Sequence, residues 1–144
     1  MAKLELQGFD DFESVFSRLT EVPNSVKEKA LKEMGEVALA RIKRSGASMS
    51  VRDPESATHI LDSLKLQKPK LNKAGGYLDV IFYGSRTRNG EKTSNSEIAF
   101  LNEYGKRGQQ PRPFVGAAME QGADAITNVG GSVLLDYFEK EFEK

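Results

Sequence analysis

The chain has no cysteine and no tryptophan, and only one histidine, His59, among its 144 residues. Without cysteine there is no disulfide, no thiolate metal site and no thiol nucleophile, and nothing points to an oxidising compartment. A single histidine rules out a histidine metal cluster or a histidine-based acid–base pair within one chain. His59 itself reads as an exposed or capping residue. No apolar run approaches the roughly 20 residues needed to span a bilayer, and no basic-then-apolar N-terminal pair precedes a small-residue cleavage site. The expectation is a chain made and kept in cytoplasm-like surroundings, without a membrane partner.

Chemistry-bearing motifs are equally sparse. Gly75–Gly76 and Gly130–Gly131 stand in neither a GxxxxGK[ST] nor a GxGxxG context, so a phosphate cradle has little support. The carboxylate pairs Asp10 with Asp11 and Glu139 with Glu141 suit helix starts and solvated helix faces. This inventory leads us to expect no catalytic residue, no metal and no cofactor, and hence a protein that is not an enzyme.

What the chain does contain is 38% hydrophobic residues, enough for one ordinary core, so 1–144 reads as a single domain. The 21 basic and 21 acidic side chains are unevenly spread: residues 1–40 carry a net −3, 41–112 a net +7 and 113–144 a net −4. A basic middle between acidic ends fits a positive face near DNA, complementary patches between copies of the chain, or ordinary solvated loops.

Local patterns give the element order. Leu4 and Leu6 alternate as in a short strand; Phe12, Val15, Phe16 and Leu19 then follow at helical spacing, with Asp10 or Asp11 as N-cap. After Pro23, a capping-box pair of Ser25 and Glu28 opens a helix reaching about Arg44, its stripe formed by Val26, Ala30, Leu31, Met34, Val37, Ala38 and Ile42. Gly46 is expected to close it in the left-handed conformation. A mobile loop is expected near 46–56, then one or two helical turns in "SATHILDSL" and two strands in "LKLQKPKL" and "GYLDVIFYG". Pro69 places the first strand at an edge or bends it.

Residues 84–96, "GSRTRNGEKTSNS", have no large apolar side chain and read as a second mobile, exposed excursion. Ile98, Ala99, Leu101 and Tyr104 then share a helical face before Gly105, and Pro113 can start a further helix holding Phe114, Ala117, Ala118 and Met119. Gly130–Gly131 is expected to break or kink the chain before the amphipathic tail with Leu134, Tyr137, Phe138 and Phe142. The fold class is therefore α+β: a small antiparallel sheet packed against a long N-terminal-half helix and C-terminal helices.

The stretch "FLNEYGKRGQQPRPF" raises three readings: a phosphate loop, a nucleic-acid contact, or a hinge. The first is poorest, because Pro111 and Pro113 remove two amide donors from the turn. As a hinge, it would anchor Tyr104 and Phe114 in the core, reverse at Gly105, and present Lys106, Arg107 and Arg112 outward to a neighbouring subunit or to DNA.

The longer segment "EIAFLNEYGKRGQQPRPFVGAAME" resembles a family of tail components of long-tailed bacteriophages, the head–tail joining, tail-completion or tail-terminator proteins. The resemblance rests on Ala99, Glu103, Tyr104, Gly105, Pro111, Pro113, Phe114 and Ala118 in order and spacing. The helix "VKEKALKEMGEVALARIKRS" is also similar to that family, whose middle motif is degenerate here: Ala57 and Thr58 replace its Thr-Gly, and Ile60, Ser63 and Leu64 keep the rest. The resemblance implies a non-enzymatic virion protein assembled in the host bacterial cytoplasm. It further implies a homo-oligomeric ring meeting tail tube and head connector proteins, with DNA close by. Subunit or DNA contact would then fall to Lys106, Arg107, Arg112, Arg86 and Arg88. The alternative is a small nucleic-acid-binding module using Arg41, Lys43, Arg44, Lys65, Lys68, Lys70, Arg86 and Arg88, whose binding would weaken steeply with salt.

Overall fold

Strong helix formers dominate the segment after Pro23, and it forms one 25-residue helix, α1, Asn24–Ser48. The computed structural model describes residues 22–51, 60–73 and 75–143. The strand at Leu4 and Leu6, the helix after Asp10, Ala57, Thr58 and His59 lie outside them. Pro23 is the N-cap and no side chain caps the helix, so the expected Ser25–Glu28 box does not form. Its apolar stripe is as expected, with Ala30, Ala38 and Ile42 buried.

Gly46 does not end α1. It is buried inside the helix, where a Cβ would stand 2.6 Å from Leu61 Cδ2 and 3.1 Å from Phe114 Cδ2. The stop comes four residues later: Ser50 takes a left-handed φ of 57°. Ser50 N–H then donates to Ala47 O at 3.2 Å and Val51 N–H to Gly46 O at 2.8 Å. These two bonds satisfy the last carbonyls of the helix, and the apolar residue just beyond, Val51, is buried.

A 3₁₀ turn, Ile60–Ser63, leads into β1 (Leu64–Leu66) and β2 (Lys70–Asn72), which pair with β4 (Val80–Phe82) and β3 (Gly75–Tyr77) respectively, both antiparallel. Each expected strand is thus split in two. Leu64 faces Phe82 and Lys70 faces Tyr77, so one extra residue lies on the first arm between the two ladders. That bulge falls around Pro69, which has no amide to donate to a ladder. The arm packs on α1 through Leu66 and Leu78, whose Cδ2 atoms lie 3.1 and 2.8 Å from the position a Cβ of Gly35 would take.

The polar stretch 84–96 is not an open excursion. Ser85–Arg88 (β5) and Glu91–Ser94 (β6) form an antiparallel hairpin closed by Asn89 and Gly90. Their φ values of 51° and 81° are both positive, as two-residue turns compatible with strand twist require. Ser94 Oγ accepts from Glu97 N–H at 3.1 Å and caps α2, Asn95–Tyr104.

The last helix, α3, runs without interruption from Phe114 to Phe142, so Gly130–Gly131 does not break it. Glycines on α3 and α1 admit side chains of the opposing helix. Gly46 lies against Phe114, Arg41 against Gly122 and Met34 against Gly130, an antiparallel pairing held close by small residues. The core gathers Ile42, Val51, Ile60, Leu61, Leu64, Ala99, Phe114 and Ala118 from the three helices, the 3₁₀ turn, β1 and the residue after α1. The described residues therefore form an α+β arrangement, three small antiparallel ladders beside long N-terminal-half and C-terminal helices.

Candidate functional site

The segment between α2 and α3 is a rigid joint. Gly105 ends α2 with φ +78°, and its N–H donates to Leu101 O at 2.9 Å. A side chain there would be strained by the backbone and would place Cβ 2.8 Å from Gln109 O and 2.9 Å from Pro111 N. Lys106 and Gln109 exchange backbone hydrogen bonds of 3.2 and 2.9 Å, leaving Arg107 and Gly108 at an exposed tip. Pro113, at φ −75° and ψ 63°, makes an inverse γ-turn, with Phe114 N–H donating to Arg112 O at 2.7 Å.

Two further contacts clamp the joint. α3 has no local side-chain cap. Instead the Glu103 carboxylate, reaching over from α2, accepts Val115 N–H on Oε2 and Gly116 N–H on Oε1, each at 2.8 Å. A full negative charge thereby meets two free amides at the positive end of the helix dipole. Arg112 N–H donates to Asn102 O at 2.6 Å, while Arg112 Nη1 donates to Ser50 O at 2.9 Å, tying the joint to the end of α1.

Phe114 is fully buried, its ring 5.9 Å from that of Phe82 in edge contact, as the hinge reading expects. Tyr104 is not its counterpart. It is 67% exposed and lies with its ring 4.8 Å from that of Phe100, itself 60% exposed, on the outer face of α2. Ala99 and Ala118 are buried packing positions.

The basic residues sit on several elements. Lys106 and Arg107 are exposed at the tip, whereas Arg112 is also exposed but bonded to Ser50. Arg86, half-buried, donates from Nε to Asn95 Oδ1 at 3.0 Å at the far end of α2. Arg88 ends β5, its backbone paired with that of Glu91 in the ladder. Arg41 lies across Gly122 between the long helices.

Asn95 is a buried polar residue that the sequence reading passed over. Its Nδ2 donates to Tyr83 O at 2.8 Å, and Ser96 Oγ donates to Phe82 O at 3.0 Å, so the end of β4 is fastened to the start of α2. Tyr83 is exposed there, with Lys65 Nζ 4.4 Å from its ring centre. Phe100, Tyr104, Lys106 and Arg107 are likewise exposed. Phe100 stands four residues before Tyr104, a helical spacing that the sequence carries openly.

No cluster of three or more His, Asp or Glu that could hold a metal occurs among the described residues, and none of their helices is long and apolar enough to cross a membrane. No protein-family model, curated protein or solved structure matches the chain.

Proposed function

We propose that the chain is a structural subunit of a long-tailed bacteriophage or prophage that completes the tail and joins it to the head, assembling as a ring at the tail–capsid junction. One observation carries the reading. The eight positions of the family resemblance fall on the joint and the two helices it connects, and each has a role of shape or display there. Glu103 caps α3, Gly105 and the two prolines set the turn, Ala99, Phe114 and Ala118 pack, and Tyr104 is displayed. A junction subunit needs this kind of part: a fixed scaffold that holds a turn and an exposed aromatic helix face toward its neighbours.

The test is sedimentation of the purified chain with isolated tail tubes and with head connectors. Co-sedimentation with either is expected. Failure to bind both would remove the proposal, and tight, steeply salt-sensitive binding of duplex DNA by the monomer would favour a nucleic-acid module instead.

A further inference from the structure

Two exposed surfaces of opposite character lie too far apart to meet within one chain. The first is the aromatic face of α2, Phe100 and Tyr104 with exposed Glu97 one turn before them, ending in the basic turn with Lys106 and Arg107. The second lies at the C-terminal end of α3, where Leu135, 57% exposed, is followed at successive four-residue steps by Glu139 and, just past the helix, Glu143, with Asp136 and Lys140 beside them. Gly131, one turn before Leu135, has open space around it. At 1.5 Å per residue, Leu135 stands about 31 Å along α3 from Phe114, where the basic turn joins that helix.

We infer that these surfaces are the two halves of one head-to-tail interface, the acidic α3 face of one copy docking on the aromatic and basic α2 face of the next. The inference rests on the ring reading above and specifies its contact. Charge favours the pairing: the α2 face and its turn are net basic, Lys106 and Arg107 outweighing Glu97, and the α3 face is net acidic, Asp136, Glu139 and Glu143 outweighing Lys140, so like faces repel and unlike faces attract. The apolar content matches too, with aromatic anchors on one side and Leu135 on the other. Because the two halves differ, association is heterologous, and repetition closes a ring or extends a filament.

Charge exchange tests this directly. The variant Lys106→Glu/Arg107→Glu carries two acidic faces, and the variant Glu139→Lys/Glu143→Lys carries two basic ones; all four positions are exposed. Circular dichroism checks that both fold. In sedimentation velocity, each variant alone is expected to self-associate at least about tenfold more weakly than the original chain. Mixed in equal amounts, the two should co-assemble, since each then meets an unlike face. Uncharged changes, Tyr104→Ala and Leu135→Ala, should weaken assembly as well. Overturning results are a chain that stays monomeric at millimolar concentration, charge variants that associate like the original, or a mixture that fails to recover. The two ideas fail separately. Charge variants that self-associate like the original, while tail tubes still bind the chain, would remove the interface and leave the tail reading. Charge-dependent assembly without tube or connector binding would do the reverse.

Discussion

Glu103 Oε1 accepts the amide proton of Gly116 at 2.8 Å, across thirteen residues and between two helices. Its second oxygen takes Val115 N–H in the same way, so one side chain of α2 serves as the cap that α3 lacks in its own sequence. Glu103→Ala should destabilise the fold by about 1–2 kcal/mol, the range for losing a helix cap. Glu103→Gln keeps one acceptor oxygen and loses the charge, and should cost less. Urea unfolding of the three proteins gives the order; equal midpoints for Glu103→Ala and the original would show that the bonds contribute nothing.

The end of α1 gives a prediction of opposite signs. At Gly46, alanine improves helix propensity by about 1 kcal/mol. It also drives a methyl group into Leu61 and Phe114, both buried. Overpacking of about 1–3 kcal/mol outweighs the gain, so Gly46→Ala should lower stability. Ser50→Gly should raise it by about 0.5 kcal/mol, because Ser50 holds φ 57° where glycine is unstrained. Thermal melts of both variants test the pair.

Phe114 and Tyr104, the two supposed anchors of the joint, should separate completely. Phe114→Ala empties a fully buried site and should cost about 3–5 kcal/mol. Tyr104→Ala should change stability by less than about 0.5 kcal/mol, as exposed substitutions usually do. Chemical denaturation measures both, and a large loss at Tyr104 would contradict its exposed position.

Asn95 joins the hairpin, β4 and α2 through its side chain. Asn95→Leu leaves the Tyr83 carbonyl without that donor and should cost about 1–3 kcal/mol. Amide hydrogen exchange should show faster opening of β5 and β6 than of α1, because the bond is local to their attachment.

These particulars show what the residues disclose before folding and what they conceal. The stripe of α1 and the bend at Pro69 are legible because periodicity and a missing amide act locally. The hairpin at 85–94 is hidden by its own composition: it buries little, so it lacks apolar alternation and leaves only the Asn89–Gly90 pair as a sign. Glycine is ambiguous in the same way. Gly46 and Gly130 resemble helix breakers in sequence, yet they make room for Phe114 and Met34 on the opposing helix. In the joint, Gly105, Pro113 and Phe114 act within their own neighbourhood and could be read. Glu103 could be picked out by resemblance, but its partners lie on another helix, beyond any local capping pattern.

The close antiparallel contact of α1 and α3 has a mechanical side. With 25 and 29 residues, the two helices form a strut of about 37–43 Å. Met34, Arg41 and Phe114 are keyed against glycines at intervals along it, which resists sliding of one helix past the other. For α1 to slip along α3, all three side chains would have to leave those seats together.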